Sequence, residues 1–237
     1  MERDAVVASV FAPVRAPTTF EETVERLGTA IRAGILAPGT RLPAERALAD
    51  QLGISRSTLR QALTALVQSG HLTATRGRGG GTFVTDRPPL IELADRRLGQ
   101  QAWAVLDMRV AVETGATLLA AERAEPDTLD RLDELVERMG EVTAAKDFGD
   151  YRRADIRFHI GLAEAASSPR LVSAMTDVQG QMSGLITMIP HPPQVLTHSN
   201  EQHRRLVRLL RRHDRPRAVA LVREHLEGTE HILAGLI

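Results

Sequence analysis

Proline placement is the strongest constraint on this chain. Pro126, Pro169, the Pro190–Pro193 segment and Pro216 each interrupt an apolar periodicity of roughly 3.6 residues, because proline lacks an amide proton and clashes with the preceding turn. They mark four of the five breaks between helical segments near 99–123, 126–145, 148–166, 169–188, 195–212 and 215–235, with no strand pattern between them. An all-α bundle is therefore expected there. Upstream, Asp86-Arg87-Pro88-Pro89 breaks the pattern and reads as a linker. A chain of 237 residues accommodates two domains, and an apolar fraction of 43% supplies a core for each.

What is missing narrows the chemistry. With no cysteine, disulfides, thiolate zinc sites, iron–sulfur clusters and a cysteine nucleophile are excluded. No apolar run approaches the ~20 residues needed to span a bilayer. Met1-Glu2-Arg3-Asp4 is charged with both signs and leads into no long apolar stretch, so neither a membrane partner nor a secretory leader is expected, and the cytoplasm is the expected compartment.

The first domain is legible turn by turn. After a loose arm, Thr19 and Glu22 form a capping-box pattern, and Phe20, Val24, Leu27 and Ile31 follow at helical spacing up to Gly34. Residues 40–42 are extended and end at Pro43, which is expected in the first turn of a second helix stopping at Gly53. Ser55 is placed to cap a third helix whose stripe is Leu59, Ala62, Leu63, Leu66 and Val67, closing at Gly70. Leu72–Arg76 and Thr82–Thr85 flank the glycine-rich stretch Gly77–Gly81 and read as a hairpin. The sum is three helices and a two-stranded wing.

Residues 44–70, two helices joined at Gly53-Ile54, have the layout of a helix-turn-helix. The third helix carries Arg56, Ser57, Arg60, Gln61 and Thr64 outside its apolar stripe. Arg56 and Arg60 share a face at its N-terminal end, where orphan N–H groups also favour phosphate. The charges agree: the chain is balanced overall, yet residues 40–80 hold six Arg against two acids. A scattered solvated surface would explain the charge alone. Cap, turn, basic N-terminus and glycine-rich wing together point to duplex DNA.

Residues 27–84 resemble the DNA-binding domain of the GntR family of bacterial regulators. Gly34-Ile35-Leu36-Ala37-Pro38-Gly39-Thr40-Arg41-Leu42-Pro43-Ala44-Glu45-Arg46 and Ser55-Arg56-Ser57-Thr58-Leu59-Arg60 carry the resemblance. It implies DNA contacts from Arg46, Ser55, Arg56, Thr58 and Arg60, and from Arg76 and Gly77 at the wing tip. Two features depart from the family: Gln61 stands where Glu is common, and Gly79-Gly80-Gly81 lengthens the wing turn.

The bundle holds a second constellation. Asp155 and His159, four apart, lie beside Phe158 and Leu162 on an apolar helix stripe; His203 lies with Leu206, Val207 and Leu210; His225 sits among Ala218, Leu221, Val222 and Ile232. A single buried histidine is more often a satisfied core residue, but three with an Asp on inward faces are hard to satisfy separately. Convergence on one divalent metal would satisfy all four together. His71, His191, His198, His213 and His231 fall outside this pattern, the last four being expected at the surface.

This second region, roughly residues 99–232, resembles the FCD effector domain of FadR-type GntR regulators. The carriers are Arg109-x-x-x-Glu113, Asp155-x-x-x-His159, Gln202-His203 and Glu224-His225-Leu226, with Ser168 standing where many relatives have Asn. The resemblance implies metal ligation by Asp155, His159, His203 and His225, a homodimer, and a small carboxylate effector near the metal. Arg109 is a candidate partner for that carboxylate, or is simply paired with Glu113. Zinc is the first expectation for the ion, with nickel or manganese also accommodated.

The expected organisation is an arm (1–19), a winged helix-turn-helix (20–86), a linker (87–98) and an all-α metal- and effector-binding domain (99–237). The expected function is a regulator, a repressor, released from a near-palindromic double-stranded operator by its effector. In a second reading the metal itself is the signal. A metallohydrolase with a DNA-binding appendage is the third, but His-Glu-x-x-His and Gly-Lys-Ser/Thr are both absent and the wing lacks the last glycine of a dinucleotide loop. Enzymatic activity is not expected.

Overall fold

The structure, a computed structural model, describes residues 11, 19–75, 77, 80–88, 93–145, 147–186, 191 and 193–236. Most of the arm, part of the linker and the wing-tip residue Arg76 lie outside the described residues. The elements run α1 (Thr19–Arg32), α2 (Glu45–Leu52), α3 (Arg56–Gln68), β1 (Leu72–Thr75), β2 (Gly81–Val84), α4 (Leu93–Arg123), α5 (Pro126–Ala144), α6 (Phe148–Ala165), α7 (Pro169–Ile186), α8 (Pro193–Arg211) and α9 (Arg215–Leu236). The described residues are mostly helical, with one two-stranded hairpin among them, as the periodicity predicts. Three of the predicted breaks are starts: Pro126, Pro169 and Pro193 open α5, α7 and α8, where a missing N–H sacrifices no helical bond. Two compact units result, Met1–Gly99 with Gly228–Ile237, and Gln100–Glu227.

In the first unit, α1 buries Phe20, Val24, Leu27, Ala30 and Ile31, α2 buries Leu48, Ala49 and Leu52, and α3 buries Leu59, Ala62, Leu63 and Leu66. Each fully buried leucine or phenylalanine contributes about 1.5–3 kcal/mol. Gly53 ends α2 at φ 67°, a left-handed conformation that glycine adopts without Cβ strain. Ser55 then caps α3, its Oγ accepting the Thr58 backbone N–H at 3.0 Å.

Two expectations for this unit change. Pro43 precedes the cap Ala44 instead of entering α2, so its fixed φ extends the approach to the helix. Glu22 takes Arg26, one turn on at 2.7 Å. In the hairpin, Leu72 pairs with Val84 and Thr75 with Gly81. Arg41 bridges Phe83, and the Leu42 amide donates to the Thr82 carbonyl at 2.9 Å, so residues 40–42 add a short third edge.

The end of α9 also belongs to this unit. A Cβ on Gly28 would fall 1.8 Å from the Gly235 carbonyl oxygen, so only glycine allows the two backbones to approach this closely. Arg32 donates to the carbonyls of Ala234 and Gly235, satisfying acceptors that the last turn of a helix leaves open. His231 Nδ1 lies 2.7 Å from Glu25 Oε2.

The second unit is built on Leu129, Leu132, Val136 and Met139 of α5, Phe158 and Leu162 of α6, Val207 and Leu210 of α8, and Val222 and Leu226 of α9. Gly161 lets α6 approach Leu132, whose Cδ2 would stand 2.6 Å from an added Cβ. The Asn200 amide, buried on α8, donates to the Val136 carbonyl of α5 at 2.9 Å.

Candidate functional site

Helix geometry accounts for the first half of the bundle site. Asp155 and His159 lie one turn apart on α6 and are both buried; His203 projects from α8 and His225 from α9. All four meet. One nitrogen from each histidine lies within 4.8 Å of the others. His203 Nε2 and His225 Nε2 are 3.3 Å apart, while Asp155 Oδ1 stands 3.7 Å from His159 Nε2 and 3.8 Å from His203 Nε2.

Ligand nitrogens sharing a cation at ~2.1 Å stand roughly 3–3.5 Å apart. His159 Nε2 is buried without a hydrogen-bond partner, an orphan that a cation would satisfy. Three imidazoles and one carboxylate suit a divalent transition metal, and the residues present fit one.

The surroundings prepare these groups. Burial alone would raise the Asp155 carboxyl, but His159, Arg152 and His203 outweigh it and hold the group well below the usual range, ionised. Arg152 takes the other oxygen, Oδ2, at 2.5 Å, leaving Oδ1 toward the histidines. Burial pushes His203 down to about 3 and His225 well below its ordinary value, so both keep neutral rings with a lone pair for a metal.

Glu113 of α4 is fully buried at the centre of a second ring of contacts. It accepts Arg109 Nε at 2.9 Å and Gln179 Nε2 at 3.0 Å, and its Oε2 lies 2.6 Å from His159 Nδ1. Burial would raise this carboxyl too, yet His159 and Arg109 keep it well below the ordinary range. Gln179 Oε1 accepts from Arg152 at 3.2 Å, and His225 Nδ1 lies 3.0 Å from Gln202 Oε1, whose Nε2 donates to Glu224 at 3.3 Å. For Arg109, the ion pair with Glu113 forms, yet its Nη1 is buried with no hydrogen-bond partner.

Arg152 and Gln179 are the members that sequence reasoning missed. Arg152 stands three before Asp155 on α6, a spacing that puts an Arg–Asp pair on one face, so that signal was present. Gln179 reaches Glu113 across 66 residues, for which no local signal exists.

Among the outlying histidines, His191 is not a surface residue. Its ring stacks on Phe148 at 3.7 Å between centroids and Nε2 lies 2.8 Å from the Ile186 carbonyl, and burial pushes it down to about 4. His198 is half-buried, with Nε2 enclosed and unpartnered.

The other candidate surface lies at the start of α3. Arg46, Ser55, Arg56 and Arg60 are exposed, and Thr58 is half-buried. Gly77 adopts φ 102°, a conformation that favours glycine. Arg60 does not stand free: its Nη2 and Nε lie 2.8 and 3.2 Å from Glu45 Oε2 of α2, a bond that raises its pKa further. No described helix is long and apolar enough to cross a membrane.

A three-helix unit with a hairpin wing, followed by a helical bundle enclosing polar residues, has the architecture of a transcription regulator with an appended sensory domain. The comparisons agree. Residues 19–84 match the model of the bacterial regulatory proteins of the gntR family, and residues 104–228 that of the FCD domain. The chain is 35% identical over 213 residues to a Mycobacterium gastri protein assigned as the HTH-type transcriptional regulator RmpR, covering 86% of this chain and 76% of that one.

It is 32% identical to a protein of Escherichia coli (strain K12) assigned as an L-lactate dehydrogenase operon regulatory protein, over 79% of this chain and 75% of that one. The solved structure of E. coli McbR/YncC, at 23% identity, shares the fold with a TM-score of 0.50 over 90% of this chain and 96% of that one. The chain belongs to the GntR family of DNA-binding transcriptional regulators, in the group with a C-terminal FCD domain. It is a regulator, not an enzyme.

Proposed function

We propose that this regulator binds a near-palindromic operator as a homodimer and represses from it, and that a small carboxylate held beside a divalent metal in the helical bundle releases the DNA. The observation that carries this reading is the convergence of His159, His203 and His225 nitrogens with Asp155 Oδ1 in a buried site. Those four side chains would hold the ion, which would offer an open coordination position to an anionic ligand. Arg109 Nη1, a buried donor without a partner, would take a carboxylate oxygen, while Nε stays on Glu113. The assignment of the E. coli relative to an L-lactate dehydrogenase operon makes a small hydroxycarboxylate a natural first probe.

On the DNA side, Arg46, Arg56 and Arg60 would supply guanidinium groups to bases and phosphates, with Ser55, Thr58, Arg76 and Gly77 holding the backbone. Arg60 would exchange Glu45 for DNA on docking. A hundredfold weakening of operator binding needs a coupling of about 2.7 kcal/mol, within the usual range.

The test is an operator selected from genomic fragments, titrated by gel shift with zinc, with L-lactate and with both. The expected result is about a hundredfold loss of affinity with both together and little with lactate alone. If lactate and other small carboxylates leave operator affinity unchanged in the presence of zinc, effector release is wrong. Equal affinity for random and selected DNA would remove the operator reading.

A further inference from the structure

A metal site needs its imidazoles in the right tautomer as well as in the right place. At His225 the nitrogen facing the other ligands is Nε2, so the ring must carry its proton on Nδ1. His225 Nδ1 lies 3.0 Å from the Gln202 side chain. A carboxamide can turn either face to an imidazole. With the carbonyl inward it accepts the Nδ1 proton and leaves Nε2 as a lone pair; with the amine inward it donates to Nδ1 and drives the proton to Nε2, where it blocks a metal.

Glu224 separates these states. It stands on the far side of the amide and accepts Gln202 Nε2 at 3.3 Å; a reversed amide would present its carbonyl oxygen to the carboxylate. Gln202 is 5% exposed, which limits solvent as a substitute for a lost bond. We infer that Gln202 and Glu224 form a tautomer lock: Glu224 fixes the amide, and the amide fixes His225 as a metal ligand. His159 is served instead by the buried carboxylate of Glu113, an acceptor in either orientation that needs no second group to orient it. Gln202 and Glu224 are thus positioning residues for a divalent cation.

This inference rests on the metal reading, and the experiment separates the two. In metal-free full-length protein, nitrogen-15 NMR of the histidine rings, with His225 assigned by its absence in His225→Gln, should show a His225 proton on Nδ1. Glu224→Leu should shift that ring toward the Nε2-protonated form. Zinc affinity, measured by competition with a chelating indicator, should fall 10–100-fold in Gln202→Leu and about tenfold in Glu224→Leu. Glu224→Gln, which keeps an acceptor, should stay within about threefold of wild type. A merely structural role for Glu224 would not produce the tautomer shift. If Gln202→Leu fails to fold, the two Glu224 variants decide.

An Nε2-protonated His225 in the wild-type protein, or wild-type zinc affinity in Glu224→Leu, overturns the lock. A wild-type protein that takes up no zinc yet carries the proton on Nδ1 ends the metal reading and leaves the amide orientation standing; with the proton on Nε2, both fall.

Discussion

The two candidate sites are built on opposite terms. At the start of α3 the side chains are exposed apart from half-buried Thr58, and those that have partners are held by short, local or surface contacts: Ser55 by Thr58, Arg60 by Glu45. In the bundle, Arg109, Glu113, Gln179, half-buried Arg152 and Asp155 form a chain of largely buried polar contacts that closes through His159. An exposed site can lose a side chain and keep its fold, because water replaces the missing partner. A buried one cannot, because each group that loses its partner stays in a poorly solvated place. Binding and stability should therefore separate by mutation in the first region and move together in the second.

The largest break with that pattern would come from Glu113. Glu113→Ala strands a guanidinium that is 5% exposed and should cost about 3–5 kcal/mol in urea unfolding followed by circular dichroism. A loss below about 1 kcal/mol would mean that the site relaxes or admits water, and the contrast between the regions would fail.

Next in size is Arg56→Ala. It should weaken specific operator binding by about 1–3 kcal/mol with an unchanged unfolding midpoint, if the side chain reads a base. A reduced salt slope with specificity intact would reassign Arg56 to a phosphate. Ser55→Ala mixes the two roles, since the hydroxyl is already the cap. It should cost about 1 kcal/mol of stability, measured by thermal melting. Smallest of all, Glu45→Gln should leave stability nearly unchanged and, by releasing Arg60, tighten operator binding at low salt, an effect that fades as salt rises.

Local chemistry explains what could be read from the sequence. Proline at a first turn, glycine at φ 67° and serine at a cap act within a few residues, so Pro126, Gly53 and Ser55 mark their elements directly. Asp155 and His159 betray themselves by a four-residue spacing on an apolar stripe, and His203 and His225 by apolar neighbours at helical spacing. Partners on other elements are different. Glu45 and Arg60 meet only because α2 and α3 pack together, and Gln179 finds Glu113 only through the register of α7 in the second unit. Gly28 and Gly235, at opposite ends of the chain, form a close backbone contact that no pattern in either segment reveals.

The central claim is that His159, His203, His225 and Asp155 form one cation site in the helical bundle. Calorimetric titration of the metal-stripped full-length protein with zinc tests it most directly. Saturation at one ion per chain, abolished in His225→Ala, is the predicted result. Uptake that never saturates, or that is the same in the variant, would contradict it.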